Sequence, residues 1–172
     1  MAQQHWVFGY GSLMWQPDFS YAERRPAMLW GWHRAHALIS TTAWGSAERP
    51  GLILTLLRGG ACLGMAFRVA PGHWRQTRAY LRRREVAYRH VWVGVVTPKG
   101  EINALTFTAD PSNGRYIGKQ PLERRALMVA QGEGSKGTSR GYLAGTIAAV
   151  QAMGGQPEPS LLRLQAVIRR LK

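Results

Sequence analysis

At 172 residues, 45% hydrophobic and 10% aromatic, the chain has apolar material for one buried core and too little length for two ordinary domains, so residues 1–172 are expected to form a single domain. Only 19% of residues are charged, which argues against disorder, and no apolar run approaches the ~20 residues of a membrane-spanning helix. The charge is lopsided: 23 Lys+Arg against 9 Asp+Glu give a formal +14, so an acidic partner must be considered.

The basic residues are mostly arginine, in short clusters at Arg82-Arg83-Arg84, Arg124-Arg125 and Arg169-Arg170 rather than one basic tail. This distribution attracts small anions and argues against nucleic acid as the main partner, leaving a basic binding module as the alternative class. Met1-Ala2-Gln3-Gln4-His5 lacks the basic start and apolar core of a secretory leader, and the single Cys62 cannot form an internal disulfide. Both fit a reducing cytoplasm.

His5 to Phe8 reads as a short strand running into Gly9-Tyr10-Gly11-Ser12, where two glycines permit a tight turn. Strands are expected at 27–40, 52–57 and 62–69, the last two parted by a turn at Arg58-Gly59-Gly60. Between Pro71 and Glu85 the period changes, and Trp74, Arg78, Leu81 and Glu85 share one helical face. Tyr88 to Thr97 and Ile102 to Thr108 then form a hairpin through Pro98-Lys99-Gly100. The last third is helical: Leu122 to Gln131 closing at Gly132, a segment capped by Thr138 or Ser139 and running to Met153, and Leu161 to Leu171 capped by Ser160. Strands first, one helix among them and helices last predict an α+β domain with a mostly antiparallel, strongly curved sheet.

One cysteine cannot build a zinc site, and the five histidines show no paired ligand spacing; His33 and His36 on a strand would face opposite ways. No metal is therefore expected. The stretch Gly132 to Thr138 is a near miss to a phosphate loop, leaving a plain connection or a loop whose amides face an anion. Of the nine carboxylates only Glu85 falls on the apolar stripe of a predicted helix, where burial is costly without a partner. It reads either as half of a buried ion pair with Arg82 or Arg89, or as a general base. Burial would raise its pKa and nearby arginine would lower it, so pattern alone leaves the choice open. Gly9-Tyr10-Gly11-Ser12 is likewise a strand exit or a set of amides and one hydroxyl that grip a polar substrate; no triad or nucleophile elbow surrounds Ser12.

Val7-Phe8-Gly9-Tyr10-Gly11-Ser12-Leu13-Met14-Trp15 resembles the opening motif of the ChaC-type γ-glutamylcyclotransferases, and Tyr80-Leu81-Arg82-Arg83-Arg84-Glu85 resembles their Tyr-Leu-x-x-Arg-Glu signature. Tyr116-Ile117-Gly118 with Pro121-Leu122-Glu123, and Gly137 with Tyr142-Leu143, resemble later landmarks in the same order. The sequence departs from that pattern at Ala87, where relatives often have glycine, and at Ser139, where many have asparagine.

The resemblance implies a γ-glutamylcyclotransferase-like α+β fold, a mixed, mostly antiparallel curved sheet or barrel with packed helices. It also implies cleavage of glutathione to 5-oxoproline and cysteinylglycine without a cofactor, with other γ-glutamyl amines or dipeptides as alternative substrates. In this chemistry the substrate's own α-amine attacks its γ-carbonyl, so no enzymic nucleophile is required. Glu85 would take the amine proton and return it to the departing amide nitrogen. Val7, Phe8, Gly9, Tyr10, Gly11 and Ser12 would hold the γ-glutamyl group, and Arg34, Tyr116 and Tyr142 would contact the rest. For these three a structural role, as a strand-face arginine and two packed tyrosines, stands beside the binding one.

Overall fold

The computed structural model describes residues 4–171; Met1 to Gln3, on which the leader reading partly rests, and Lys172 lie outside them. In chain order the elements are β1 (Trp6–Gly9), β2 (Tyr21–Ser40), β3 (Gly51–Val69), α1 (Trp74–Arg84), β4 (Tyr88–Thr97), β5 (Gly100–Ala109), α2 (Leu122–Gln131), β6 (Glu133–Gly134), β7 (Gly137–Thr138), α3 (Ser139–Ala152) and α4 (Pro159–Arg170). The long strands close into a barrel in the order β1-β3-β2-β4-β5. β1 with β3, β2 with β4 and β4 with β5 pair antiparallel, and β1 with β5 pairs parallel, as the α+β reading expects. No described helix is long and apolar enough to cross a membrane.

The residues cluster into two compact units, one spanning the chain up to Arg34 with Leu56–Asp110, the other Ala35–Thr55 with the chain from Pro111. In the first, Val7, Leu13, Val69, Leu81, Leu105 and Phe107 form one buried cluster, against which Phe19, Trp74, Tyr80 and Tyr88 pack. Leu81, wholly buried, fastens α1 to that core, in keeping with the helical stripe read from the sequence. In the second, α2, α3 and α4 pack pairwise, and Val129, Leu143, Ile147, Leu161 and Leu164 on them are buried. Thr138 caps α3, its hydroxyl accepting the Gly141 N–H at 3.0 Å.

Four elements differ from the sequence reading. The predicted turn at Arg58-Gly59-Gly60 is no reversal: β3 runs through it, and the glycines, at φ +96° and +74°, are irregularities within one strand. β2 begins at Tyr21, six residues before the predicted start, because polar Tyr21 to Pro26 lie on the exposed end of the strand, where an apolar pattern is not needed. Residues 132–138 are no slack connection but a two-stranded hairpin, β6 with β7, whose turn amides Ser135 and Lys136 donate to Thr42 and Ala43 carbonyls at 2.8 Å. Those two amides face the protein's own backbone, not an anion. Finally, α4 starts at Pro159, which suits a first helical turn because it has no N–H to satisfy, so Glu158 rather than Ser160 holds the cap position.

Candidate active site

Within the first unit, β1 ends at Gly9 and the chain turns through Tyr10 and Gly11 into a short 3-10 turn, Ser12–Met14. Val7 and Phe8 are fully buried and serve as the base of this turn. The base is pinned from β5: Thr106 Oγ1 donates to the Phe8 carbonyl at 2.9 Å and the Tyr10 hydroxyl donates to the Phe107 carbonyl at 2.7 Å. Gly9 is needed for the close approach, because a Cβ there would sit 2.7 Å from Leu13 Cβ.

Arg34 reaches the turn from beneath. Ala27 and Leu29 point inward on β2 and Trp30 outward, but Gly31 adopts φ +76° and shifts the alternation, so that Arg34 is 2% exposed. Its Nη1 donates to the Tyr10 carbonyl at 2.7 Å and its Nη2 to the Leu63 carbonyl. The guanidinium thus braces the turn's backbone.

Glu85 comes from the far end of α1. The helix stops at Arg84, leaving Glu85 as the capping residue with φ −106° and ψ 40° and its N–H bonded to the Leu81 carbonyl at 2.8 Å. Its ion partner is neither of the arginines expected. Arg82 is exposed, and Arg89, already on β4, pairs with Asp110 at 2.8 Å. Because the helix ends one residue earlier, it is Arg84 whose Nε lies 3.2 Å from Glu85 Oε1. The side chains are only 9% and 13% exposed.

Arg84 does more than pair. Its Nη2 donates to Ser12 Oγ at 3.1 Å, and Nη1 lies 2.7 Å from the Gln16 carbonyl, 2.9 Å from the Tyr80 hydroxyl and 3.2 Å from Asp18 Oδ2. Burial pushes the Tyr80 hydroxyl above its ordinary pKa while the Arg84 hydrogen bond pulls the other way, so Tyr80 stays protonated and donates to Asp18 at 3.4 Å. One planar guanidinium therefore joins Glu85 to Ser12, the last residue of the glycine turn. Sequence reasoning missed Arg84 as a site residue. Two signals were available: Arg84 is the arginine of the Tyr-Leu-x-x-Arg-Glu pattern, and it lies four residues after Tyr80, one helical turn away. A solvent-open groove runs beside α1, lined by Asp18, Ser20, His73, Gln76, Tyr80 and Arg83; neither Ser12 nor Glu85 lines it.

Tyr116 and Tyr142 belong to the second unit. Tyr116, half-buried, bridges to Leu38 and its N–H bonds the Asn113 carbonyl at 3.0 Å. Tyr142, 4% exposed, accepts the Leu54 N–H on its hydroxyl at 3.4 Å and packs against Trp44 and His36. Ser139 uses its buried hydroxyl to bond both backbone groups of Leu52, at 3.1 and 2.7 Å. No three His, Cys, Asp or Glu among the described residues stand together to hold a metal ion.

The family model described as ChaC-like protein matches residues 5–171. The chain belongs to that family. This ChaC-like protein is 35% identical over 142 residues to the glutathione-specific gamma-glutamylcyclotransferase of Escherichia coli, covering 80% of the chain and 62% of that relative's length. It is 32% identical over 174 residues to the mouse glutathione-specific gamma-glutamylcyclotransferase 1, covering 96% and 77%. The fold matches the crystal structure of a yeast γ-glutamyl cyclotransferase specific to glutathione, with a TM-score of 0.91 at 20% identity over 99% of this chain and 98% of that one.

Proposed function

We propose that this ChaC-like protein is a γ-glutamylcyclotransferase, a carbon–nitrogen lyase that converts glutathione to 5-oxoproline and cysteinylglycine with Glu85 as general base and acid. The observation that supports the reading is the Ser12–Arg84–Glu85 link, in which one guanidinium touches both Glu85 and the last residue of the glycine turn. The names of the E. coli and mouse relatives support the substrate.

The reaction needs little from the protein beyond posture and one proton. The γ-glutamyl α-amine, with an ordinary pKa of about 7.7–8.0, attacks the γ-carbonyl of its own side chain as the neutral amine, its ammonium proton having gone to solvent, and must shed one further proton as it bonds to carbon. Glu85 takes it as the new N–C bond closes the ring. The tetrahedral centre then expels the cysteinylglycine nitrogen, and Glu85 returns the proton to it as the amide C–N bond breaks. Atoms and charge balance without a cofactor or water. Positioned acid-base help of this kind is worth about 10²–10⁴-fold, and holding the γ-glutamyl arm coiled supplies much of the rest. Gly9 to Ser12 are assigned the γ-glutamyl group on their backbone. Arg34 serves that grip by fixing the Tyr10 carbonyl.

Glu85→Gln tests the assignment. The variant keeps the side chain's length and a hydrogen-bonding oxygen for Arg84, so its thermal unfolding should match the parent within a few degrees, while release of 5-oxoproline from glutathione should fall by at least the ~10²-fold that acid-base help supplies. Full turnover in the folded variant sinks the role of Glu85. Faster turnover of γ-glutamyl dipeptides than of glutathione by the parent would transfer the activity to that substrate class.

A further inference from the structure

The backbone of Glu85 is held as deliberately as its carboxylate. Its carbonyl accepts the Tyr88 N–H at 3.1 Å and faces His90 Nε2 at 3.3 Å. A carbonyl at a helix C-terminus has no partner within the helix, so an outside donor fixes its direction. His90 comes from β4, opposite Phe107 of β5, and its half-buried ring meets the Phe107 ring edge-on at 4.9 Å. On its other side Arg78 Nη1, from α1, lies 3.4 Å from Nδ1.

This arrangement fixes the protonation of the ring. A guanidinium only donates, so Nδ1 must accept from Arg78, and a neutral ring with an accepting Nδ1 carries its proton on Nε2. That proton points at the Glu85 carbonyl. A second proton on Nδ1 would set donor against donor and cation against cation. We propose that His90 is a positioning residue for Glu85: held neutral as the Nε2–H form by Arg78, it fixes the Glu85 carbonyl and thereby where the carboxylate projects beside the glycine turn.

The surroundings of the ring favour this state. Burial first, then the charges of Arg78 and Arg82 on α1, lower the His90 pKa from its ordinary value, and only the Glu85 carbonyl pulls it up. Phe107 of β5 adds no charge. The neutral form thus persists below the pH at which a free histidine would charge. When it does charge, Nδ1 can no longer accept from Arg78, so the ring shifts from that guanidinium and carries with it the Nε2–H aimed at the Glu85 carbonyl. Reaction rates are steep in such geometry, a misplacement of about 1 Å costing on the order of 10²-fold.

The role rests on the proposed use of Glu85, and the test separates the two. His90→Phe keeps a ring against Phe107 and removes the donor; His90→Gln keeps an N–H donor and removes the titration. In folded protein, checked by circular dichroism and thermal melting, His90→Phe should lower kcat for 5-oxoproline release about 10- to 100-fold with KM within about twofold. His90→Gln should recover most of that loss, and the acid-side fall in its kcat should move to lower pH than in the parent. Nitrogen-15 imidazole NMR of the parent should show a neutral Nε2–H ring at pH 7 that titrates below about 6.5. His90→Phe with parental kcat across pH overturns the role, as does a charged or Nδ1–H ring at pH 7. A parent inactive on every γ-glutamyl compound defeats the proposed function instead, and the NMR spectrum then decides the His90 geometry alone.

Discussion

Arg84 carries more of the site than its place in a run of three arginines suggests. Its neighbours Arg82 and Arg83 are exposed, whereas its own fork is turned inward onto Ser12, Gln16, Tyr80 and Glu85. A lysine offers one point of charge and cannot span Ser12 and Glu85 together. Arg84→Lys should therefore lower kcat for 5-oxoproline release by about 10- to 100-fold while leaving the chain folded. Arg84→Met, which strands the Gln16 carbonyl and the Glu85 carboxylate, should also cost about 2–3 kcal/mol in urea unfolding. Glu85 stood out from sequence because it was the one carboxylate without an innocent place. Arg84 did not, because what singles it out is the residue at which α1 stops, and helix ends are set by tertiary contacts such as those of the Glu85 carbonyl rather than by local propensity.

Among the elements, β2 and β3 show most clearly how backbone exceptions aim side chains. At Gly31 a side-chain methyl would meet nothing within 4 Å, so the cost of Gly31→Ala comes from its φ of +76° alone. It should lose about 1–2 kcal/mol in equilibrium unfolding. It should also slow turnover, since Arg34 braces the Tyr10 carbonyl only because the alternation shifts there. Gly64 presents the opposite case: a Cβ there would lie 2.4 Å from the Gly9 carbonyl oxygen and 2.6 Å from the Phe8 ring. Gly64→Ala must push β1 and its turn aside, and kcat/KM should fall more than overall stability does. Periodicity made α1, β4, β5 and α2 legible nearly to their ends. It misplaced the Arg58-Gly59-Gly60 region because glycine pairs signal a reversal and an irregularity within a long strand equally well. The 133–138 hairpin was hidden for another reason: its bonds to Thr42 and Ala43 are distant in sequence.

At the scale of the whole molecule, the +14 charge must be held together against its own repulsion, and Glu23 is one place where that is done. Its carboxylate gathers Arg25 at 2.6 Å, Arg68 at 3.2 Å and Lys99 at 3.3 Å. The Arg25 hydrogen bond, with help from Lys99 and Arg68, lowers its pKa to about 2. A carboxylate whose pKa falls on folding stabilises the native state above its unfolded value, about 4.3, and that contribution disappears as pH drops through about 2. Glu23→Gln should accordingly lower the melting temperature at pH 6, with the gap to the parent closing between pH 4 and 2. The charge excess was plain in the sequence; its local neutralisation was not, because Glu23, Arg68 and Lys99 meet only when β2, β3 and the β4–β5 turn are side by side. The same topology orders events in time. β1, which delivers the glycine turn, is held between β3 at Met65 to Arg68 and β5 at Ala104 and Leu105, both of which leave the ribosome long after it. The stretch that is synthesised early is thus zipped in late, and a nascent chain halted before Gly51 would display Trp6 to Gly9 as an unclaimed apolar ribbon for a chaperone to guard.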